Sequence, residues 1–394
     1  MTLLPKILIS AGEASGDLYA ASLVTKLRQA WPEADFYGCT GPQMRKAGVR
    51  TIVDSASLSV VGLVEVIAHI PRIYGEYRKL LAAAREDPPD LAILTDSPDF
   101  HLRLAGRLKA AGIPVVYLVA PQVWAWRQGR LGQMRRVIDH LLCIFPFEEE
   151  FFRCNNIPVT YIGHPLSRLV KPSLSKADFL KKHRIPAERP LIVVLPGSRR
   201  GEAARHLGTL LETIDRLYQS QAASFLLPAS ATTGAAFFRE RIGGAPIQVL
   251  EGETWDAIGH ADLALAASGT VTVEAALLGT PMVTFYKVSP VSWFLGRRLV
   301  KAPFLCMVNL VAGRKIVPEL MQSEFNSARL AEEARRILCN QGVRRQMKTD
   351  LAEVAARLSI GSDPMDRAMS AIGTVLQRFN NKEEAIHVSE NLVS

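Results

Sequence analysis

The 394 residues include only five cysteines, Cys39, Cys143, Cys154, Cys306 and Cys339, and no two of them form a Cys-x-x-Cys pair. An odd, scattered set supports neither a disulfide framework nor a zinc site, so reduced thiols in a cytosolic protein are expected. Long apolar runs are missing too. No stretch approaches the roughly 18 to 20 uncharged residues that span a bilayer, because Pro114, Pro121 or Glu274 interrupts the most apolar regions. The start of the chain lacks a basic segment followed by a long apolar one, and no signal peptide is expected. Neither a Gly-Lys-Ser/Thr P-loop nor a Gly-x-Gly-x-x-Gly dinucleotide fingerprint is present.

What is present is the composition of a folded protein, 48% hydrophobic and 22% charged, long enough for two domains with separate cores. The formal charge of +9 comes from 47 basic against 38 acidic residues and favours anionic partners. The basic residues are spread along the chain rather than gathered with interleaved aromatics, which argues against nucleic acid and leaves phosphorylated substrates or an anionic membrane surface.

Apolar runs of strand length alternate with helical patterns: Ile7 to Ser10, Phe36 to Cys39, Leu91 to Leu94, Val115 to Val119 and Leu141 to Ile144, then Leu191 to Leu195, Ser224 to Leu227, Ile247 to Leu250, Leu263 to Ala266 and Met282 to Phe285. Strands apolar on both faces imply parallel sheets covered by helices, so the predicted class is α/β, with two Rossmann-like domains facing a cleft. The polar, proline-containing stretch from Pro165 to Pro190 suits the boundary. Domains over 1–170 and 171–365 follow, with a last helical segment over 366–380 and a polar, unstructured tail over 381–394. Ligands of such sheets bind beyond the carboxyl ends of the strands, where the loops after Ser10, Leu94, Val119, Leu195 and Ala266 lie.

Two of these loops suit a diphosphate. Leu195 to Glu202 reads LPGSRRGE and Ser268 to Glu274 reads SGTVTVE, each an apolar strand entering a small-residue turn and then a helix. Each would offer unpaired N-terminal N–H groups to an anion, around Gly197, Ser198, Ser268, Gly269 and Thr270. Arg199 would add a planar charged fork, and Glu274 could accept hydrogen bonds from a ribose diol. Together they describe a nucleotide-diphosphate site that calls for no metal and no cofactor.

Chemistry at such a diphosphate that brings in a hydroxyl would also need a base. The loop Thr95 to Phe100 places Asp96 next to a strand end, while Asp99 suits the cap of the following helix. Glu13, after the first strand, could position the acceptor or share the base role, and Ser15 and Asp17 fit helix capping. Which carboxylate takes the proton stays open at this level. Trp124, Trp126 and Arg127 stand in the loop after Val119 and could line a sugar site or plug an interface. His164, at the presumed hinge, reads as a structural histidine.

Two further segments are unusual. Leu58 to Ile70 is apolar almost all round, with Val60, Val64 and Ile67 in it, and suits either a buried helix or an element that takes acyl chains and dips into a membrane. Val291 to Lys301 sets Trp293 and Phe294 beside Arg297 and Arg298, which suits either an anionic lipid interface or a core helix with a solvated basic side.

The segments LPGSR and SGT…E, with Ala11 to Asp17 (AGEASGD) and Pro121 to Arg127 (PQVWAWR), resemble the motifs of the lipid-A-disaccharide synthase family in the family's order, over about residues 6 to 370. The resemblance implies the two-domain fold called GT-B, with the last helix packing back on the first domain. It implies an inverting glycosyltransferase in which the first domain takes the acceptor and the second the nucleotide sugar. Asp96 and Glu13 would be catalytic. The donor would be UDP-2,3-diacylglucosamine, the acceptor 2,3-diacylglucosamine 1-phosphate, and the setting the cytoplasmic face of the inner membrane. Asn309 is similar to the asparagine of the family's PNL segment, with Val308 in place of proline, and would either hydrogen-bond a phosphate or the uracil or serve an ordinary loop turn. A UDP-N-acetylglucosamine 2-epimerase or a glycosyltransferase of peptidoglycan synthesis is the alternative of the same fold group.

Overall fold

The computed structural model describes residues 5–58, 63–220, 222–289, 293 and 302–391. The chain divides into two compact units, Met1–Pro165 with Ile360–Ser394, and Leu166–Ser359.

In the first unit, the described strands are β1 (Lys6–Ala11), β2 (Asp35–Thr40), β3 (Arg50–Asp54), β4 (Leu91–Thr95), β5 (Val115–Leu118), β6 (His140–Cys143) and β7 (Val159–Tyr161). They form a parallel sheet in the order β3-β2-β1-β4-β5-β6-β7. The order reverses between β1 and β4, whose register pairs Ser10 with Leu94 and Ala11 with Thr95. That reversal opens a crevice at the carboxyl ends of these two strands, which is where a ligand fits in such sheets. Helices α1 (Ala14–Ala30), α2 (Pro42–Lys46), α3 (Leu63–Glu86), α4 (Pro98–Ala110), α5 (Leu131–Val137) and α6 (Pro146–Cys154) connect the strands. The inner strands are fully buried because their isoleucines, leucines and valines meet helices on both faces, each worth about 1.5 to 3 kcal/mol of transfer free energy.

The second unit repeats the plan with β8 (Leu191–Leu195), β9 (Ser224–Ala229), β10 (Gln248–Glu251), β11 (Leu263–Ala267), β12 (Met282–Tyr286) and β13 (Glu319–Met321), ordered β10-β9-β8-β11-β12-β13 and parallel. Here the order reverses between β8 and β11, the two strands that run into the LPGSR and SGT turns. Sequence placed both turns at strand ends; the topology makes those strands neighbours.

The last helix, Pro364–Asn391, belongs to the first unit and packs on α1 and β6. Lys26 of α1 lies 2.9 Å from Asp366 and 3.5 Å from Asp363. The helix continues past residue 380 into the stretch expected to be unstructured, because residues 381–391 contain neither proline nor glycine to stop it.

Candidate functional site

In the first unit the candidate chemistry gathers at the β1/β4 reversal. β4 ends at Thr95, and the chain turns through Asp96 and Ser97 with left-handed backbone, φ 54° and 38°, before Pro98 opens α4. This turn aims the Asp96 carboxyl back over the loop after β1. There it accepts hydrogen bonds from the N–H groups of Gly12 (2.8 Å) and Glu13 (3.0 Å). Gly16 completes the seat, since a Cβ there would sit 1.8 Å from Asp96 Oδ2. Burial pushes the Asp96 carboxyl up to about 7, and the nearby Glu13 charge adds to this against the hydrogen bonds from Gly12, Glu13 and Ser97. A carboxyl poised near neutrality suits proton transfer. Glu13 is exposed and caps α1 through its backbone position without a side-chain cap bond.

Two residues that sequence did not single out hold the Asp96 peptide. His101 is fully buried, with Nδ1 3.0 Å from the Asp96 carbonyl oxygen and Nε2 2.7 Å from Ser10 Oγ. A carbonyl only accepts, so Nδ1 carries the proton and Nε2 accepts from the Ser10 hydroxyl. The Tyr117 hydroxyl donates to the same carbonyl. Burial holds the imidazole of His101 down at about 4, so it is neutral near pH 7. Its i+3 place after Pro98 on an amphipathic helix reads in sequence as an ordinary core position.

Asp17 is not a simple first-turn residue. It is buried, and its carboxylate accepts from Gly41, Gln43 and Met44 N–H groups, fixing the start of α2. Asp99, expected as a cap, instead pairs with Arg127 (3.0 Å) and Arg130. The two tryptophans have different surroundings. Trp124 Nε1 donates to buried Glu148 Oε1 (3.0 Å), and the ring meets Phe147 edge-on at 4.9 Å. Glu148, also accepting from the Ile144 and Phe145 N–H groups, is pushed by burial up to about 7. Trp126 is 42% exposed, with the Arg127 guanidinium 4.2 Å over its ring. His164 is buried between Tyr19 and Phe145, and burial holds it down at about 3, which fits its structural reading.

In the second unit Gly197 takes φ 120°, and the Glu202 side chain fills the space where a Cβ would stand. The Ser198 carbonyl accepts from Thr233 Oγ1 (2.8 Å) and Ser230 Oγ (3.2 Å), which braces the turn from the β9 end. Ser198 and Arg199 are exposed just before the helix Arg200–Ser220. Gly269 and Thr270 are likewise exposed at the start of the helix Thr270–Leu277, while Ser268 Oγ donates to the Leu305 carbonyl (3.0 Å). His206, buried, links the ends of β8 and β12: Nδ1 donates to the Pro196 carbonyl (2.8 Å) and Nε2 accepts from the Lys287 N–H (3.1 Å). Burial pushes the Glu274 carboxyl up to about 7, against the hydrogen bond from Trp255.

Asn309 is placed otherwise than expected. It is fully buried; its amide group donates to the Val317 carbonyl and Glu319, and its oxygen accepts from the Ile316 and Val317 N–H groups. Two donors and two lone pairs are thereby used, and none remains for a phosphate or a uracil. The reason is local: this amide pairs with the Ile316 and Val317 backbone groups of the chain between Asn309 and β13.

Val60, Phe294, Arg297 and Arg298 lie outside the described residues, as do the side chains of Val64 and Ile67. Trp293 is half-buried. On α3, Ile70 and Tyr74 are one turn apart and exposed by 53% and 60%. Among the described residues no helix is long and apolar enough to cross a membrane.

Residues 7–371 match the family described as lipid-A-disaccharide synthetase. A lipid-A-disaccharide synthase of Solibacter usitatus is 65% identical over 374 residues, covering 95% of this chain and 98% of the relative. Among solved structures, the calicheamicin glycosyltransferase CalG4 is similar with a TM-score of 0.59 at 15% identity, over 95% of this chain and 98% of that one. A UDP-GlcNAc 2-epimerase from Neisseria meningitidis bound to UDP-GlcNAc gives the same TM-score, 0.59, at 13% identity, over 95% of this chain and all of that one. These structural likenesses establish the α/β fold of the GT-B type and do not separate transferase from epimerase.

Proposed function

The chain belongs to the lipid-A-disaccharide synthase family, and on that premise we propose that it joins UDP-2,3-diacylglucosamine to 2,3-diacylglucosamine 1-phosphate by an inverting displacement. The acceptor 6-hydroxyl attacks the donor anomeric carbon; the new C–O bond forms as the bond to the β-phosphate oxygen breaks. The proton passes to Asp96, and the electron pair leaves on UDP. The products are a β-1,6-linked disaccharide 1-phosphate and UDP.

The observation that carries this reading is the Asp96 carboxyl, seated at the end of β4 by Gly12 and Glu13 and held at a pKa of about 7. A carboxyl raised toward neutrality by burial can accept the proton of a hydroxyl as it attacks. Glu13, exposed beside it, orients the acceptor. In the second unit Arg199 and the N–H groups at Gly197, Ser198, Ser268, Gly269 and Thr270 take the diphosphate, whose charge grows as the bond breaks. Glu274 takes the ribose. Asn309 supports the nucleotide side from behind by holding the chain before β13, in place of a direct contact. Trp124, Trp126 and Arg127 border the acceptor.

The exposed pair Ile70 and Tyr74 on α3, with Trp293, supports contact with the acyl chains or an anionic membrane surface, consistent with a peripheral place at the inner membrane. Leu58 to Ile70 and Val291 to Lys301, which hold Ile70 and Trp293, are the segments proposed for that contact.

The test is UDP release from the donor with and without the acceptor, in detergent. Release that requires both lipids, with a disaccharide phosphate by mass, is the expected result. Arg199→Ala should weaken UDP binding, whereas Asp96→Asn should bind UDP as the parent does and lose turnover. Turnover at the parental rate in Asp96→Asn would remove Asp96 from the base role. Conversion of UDP-N-acetylglucosamine alone to a stereoisomer would favour the epimerase.

A further inference from the structure

We infer that His101 is a positioning residue for the glycosyl transfer: buried behind the site, it fixes the peptide of Asp96 and thereby the direction of the Asp96 carboxyl. The inference rests on the reading of Asp96 as the base.

Asp96 and Ser97 both adopt left-handed backbone, an unfavourable conformation for residues with a Cβ, so the turn needs external bonds to persist. Two elements supply them at one carbonyl, and a third braces one of the two. His101 of α4 donates from Nδ1, Tyr117 of β5 donates its hydroxyl, and Ser10 at the end of β1 holds the far side of the imidazole. The ring is further fixed edge-on against Phe100 at 5.1 Å. His101 is fully buried and reaches no surface from which it could meet a substrate. The neutral ring keeps its single proton on Nδ1, so the donor to Asp96 is permanent in the neutral range. The carboxyl oxygens are tied to Gly12 and Glu13 and the carbonyl to His101 and Tyr117, so Asp96 is held at both ends of the residue.

A core histidine with no such role would be replaceable by any residue of similar size that keeps the fold. Asparagine and glutamine separate the two accounts. His101→Asn retains a side-chain N–H near the position of Nδ1, whereas His101→Gln places its amide toward Ser10 and leaves the Asp96 carbonyl without that donor. With the full chain and both lipid substrates, kcat, KM, UDP affinity and melting temperature are compared for the parent, both His101 variants and Asp96→Asn. His101→Gln should lower kcat by about 10²-fold, the scale of a misplacement near 1 Å, with KM and UDP affinity unchanged. His101→Asn should recover kcat to within about tenfold of the parent.

Parental kcat in His101→Gln, or equal losses in both variants that follow the melting temperature, would overturn the inference. If Asp96→Asn is inactive while His101→Gln is normal, only the positioning role fails. If Asp96→Asn is fully active, the base reading fails and the positioning role falls with it. Should both His101 variants fail to fold, Tyr117→Phe removes the second donor: lower kcat at unchanged KM supports the inference, and parental kcat overturns it.

Discussion

Asp96 and Gly12, 84 residues apart, are joined by a 2.8 Å hydrogen bond from the Gly12 N–H to the Asp96 carboxyl. The bond joins the loops after β1 and β4, and the carboxyl has room there only because Gly12 and Gly16 have no side chain. Catalysis on this reading depends as much on missing atoms as on present ones.

Gly16 gives the sharpest case. In the helix α1, alanine should be favoured over glycine by about 0.5 to 1 kcal/mol on propensity alone. A Cβ at 16 would overlap Asp96 Oδ2 at 1.8 Å, so Gly16→Ala should displace the base and lower kcat by about 10²-fold or more. Gly208, exposed in the helix Arg200–Ser220 with open space at its Cβ, is the control. Gly208→Ala should raise stability by up to about 1 kcal/mol and leave kcat unchanged, as read by thermal melting and UDP release.

The pH dependence of rate and of stability should run in opposite directions. Turnover should rise with pH and level off above about 7 as Asp96 ionises. For stability, the folded carboxyl keeps its proton up to about 7 while the unfolded one loses it near 3.8. Between these values the folded state binds more protons, so this group's contribution falls as pH rises, by about 1.4 kcal/mol per unit at most. Asp96→Asn removes that dependence. Its stability relative to the parent should therefore improve from pH 4 to pH 8 in denaturant melts, even as its turnover is lost.

The two tryptophans of the loop after β5 should respond differently. Trp124→Phe leaves the buried Glu148 without its indole donor and should cost about 1 to 3 kcal/mol. Trp126→Phe, at an exposed ring, should cost under about 0.5 kcal/mol. Equal losses in chemical denaturation would show that the Trp124 to Glu148 bond contributes nothing.

All ten strands expected from apolar runs are present; nine are inner parallel strands that read as unbroken runs because helices cover both faces, and the tenth, β10, is an edge strand with one buried residue, Leu250. The three that escaped, β3, β7 and β13, are edge strands. β3 reads RTIVD with both ends exposed, and β7 and β13 have three residues each, too few and too polar for a run to stand out. The places of the candidate residues were legible in part. Asp96 and the two turns proposed for the diphosphate sit at strand ends, where the apolar runs stop. His101, Tyr117 and His206 act through partners 80 or so residues away or through a loop carbonyl, and Glu148 is tied to Trp124, 24 residues away; nothing local marks these roles. Asn309 failed the other way, since a motif asparagine in a loop and one consumed by that loop have the same sequence.

The first unit is made of two separated pieces, with the helix Pro364–Asn391 returning to α1. During synthesis the Asp96 sheet emerges first, yet its closing helix follows only after nearly 200 residues of the other unit. At about 5 to 20 residues per second the delay is roughly 10 to 40 s, long enough for the intervening unit to fold first. The nascent N-terminal piece must wait with the α1 surface uncovered until a helix made after the whole of the other unit completes it.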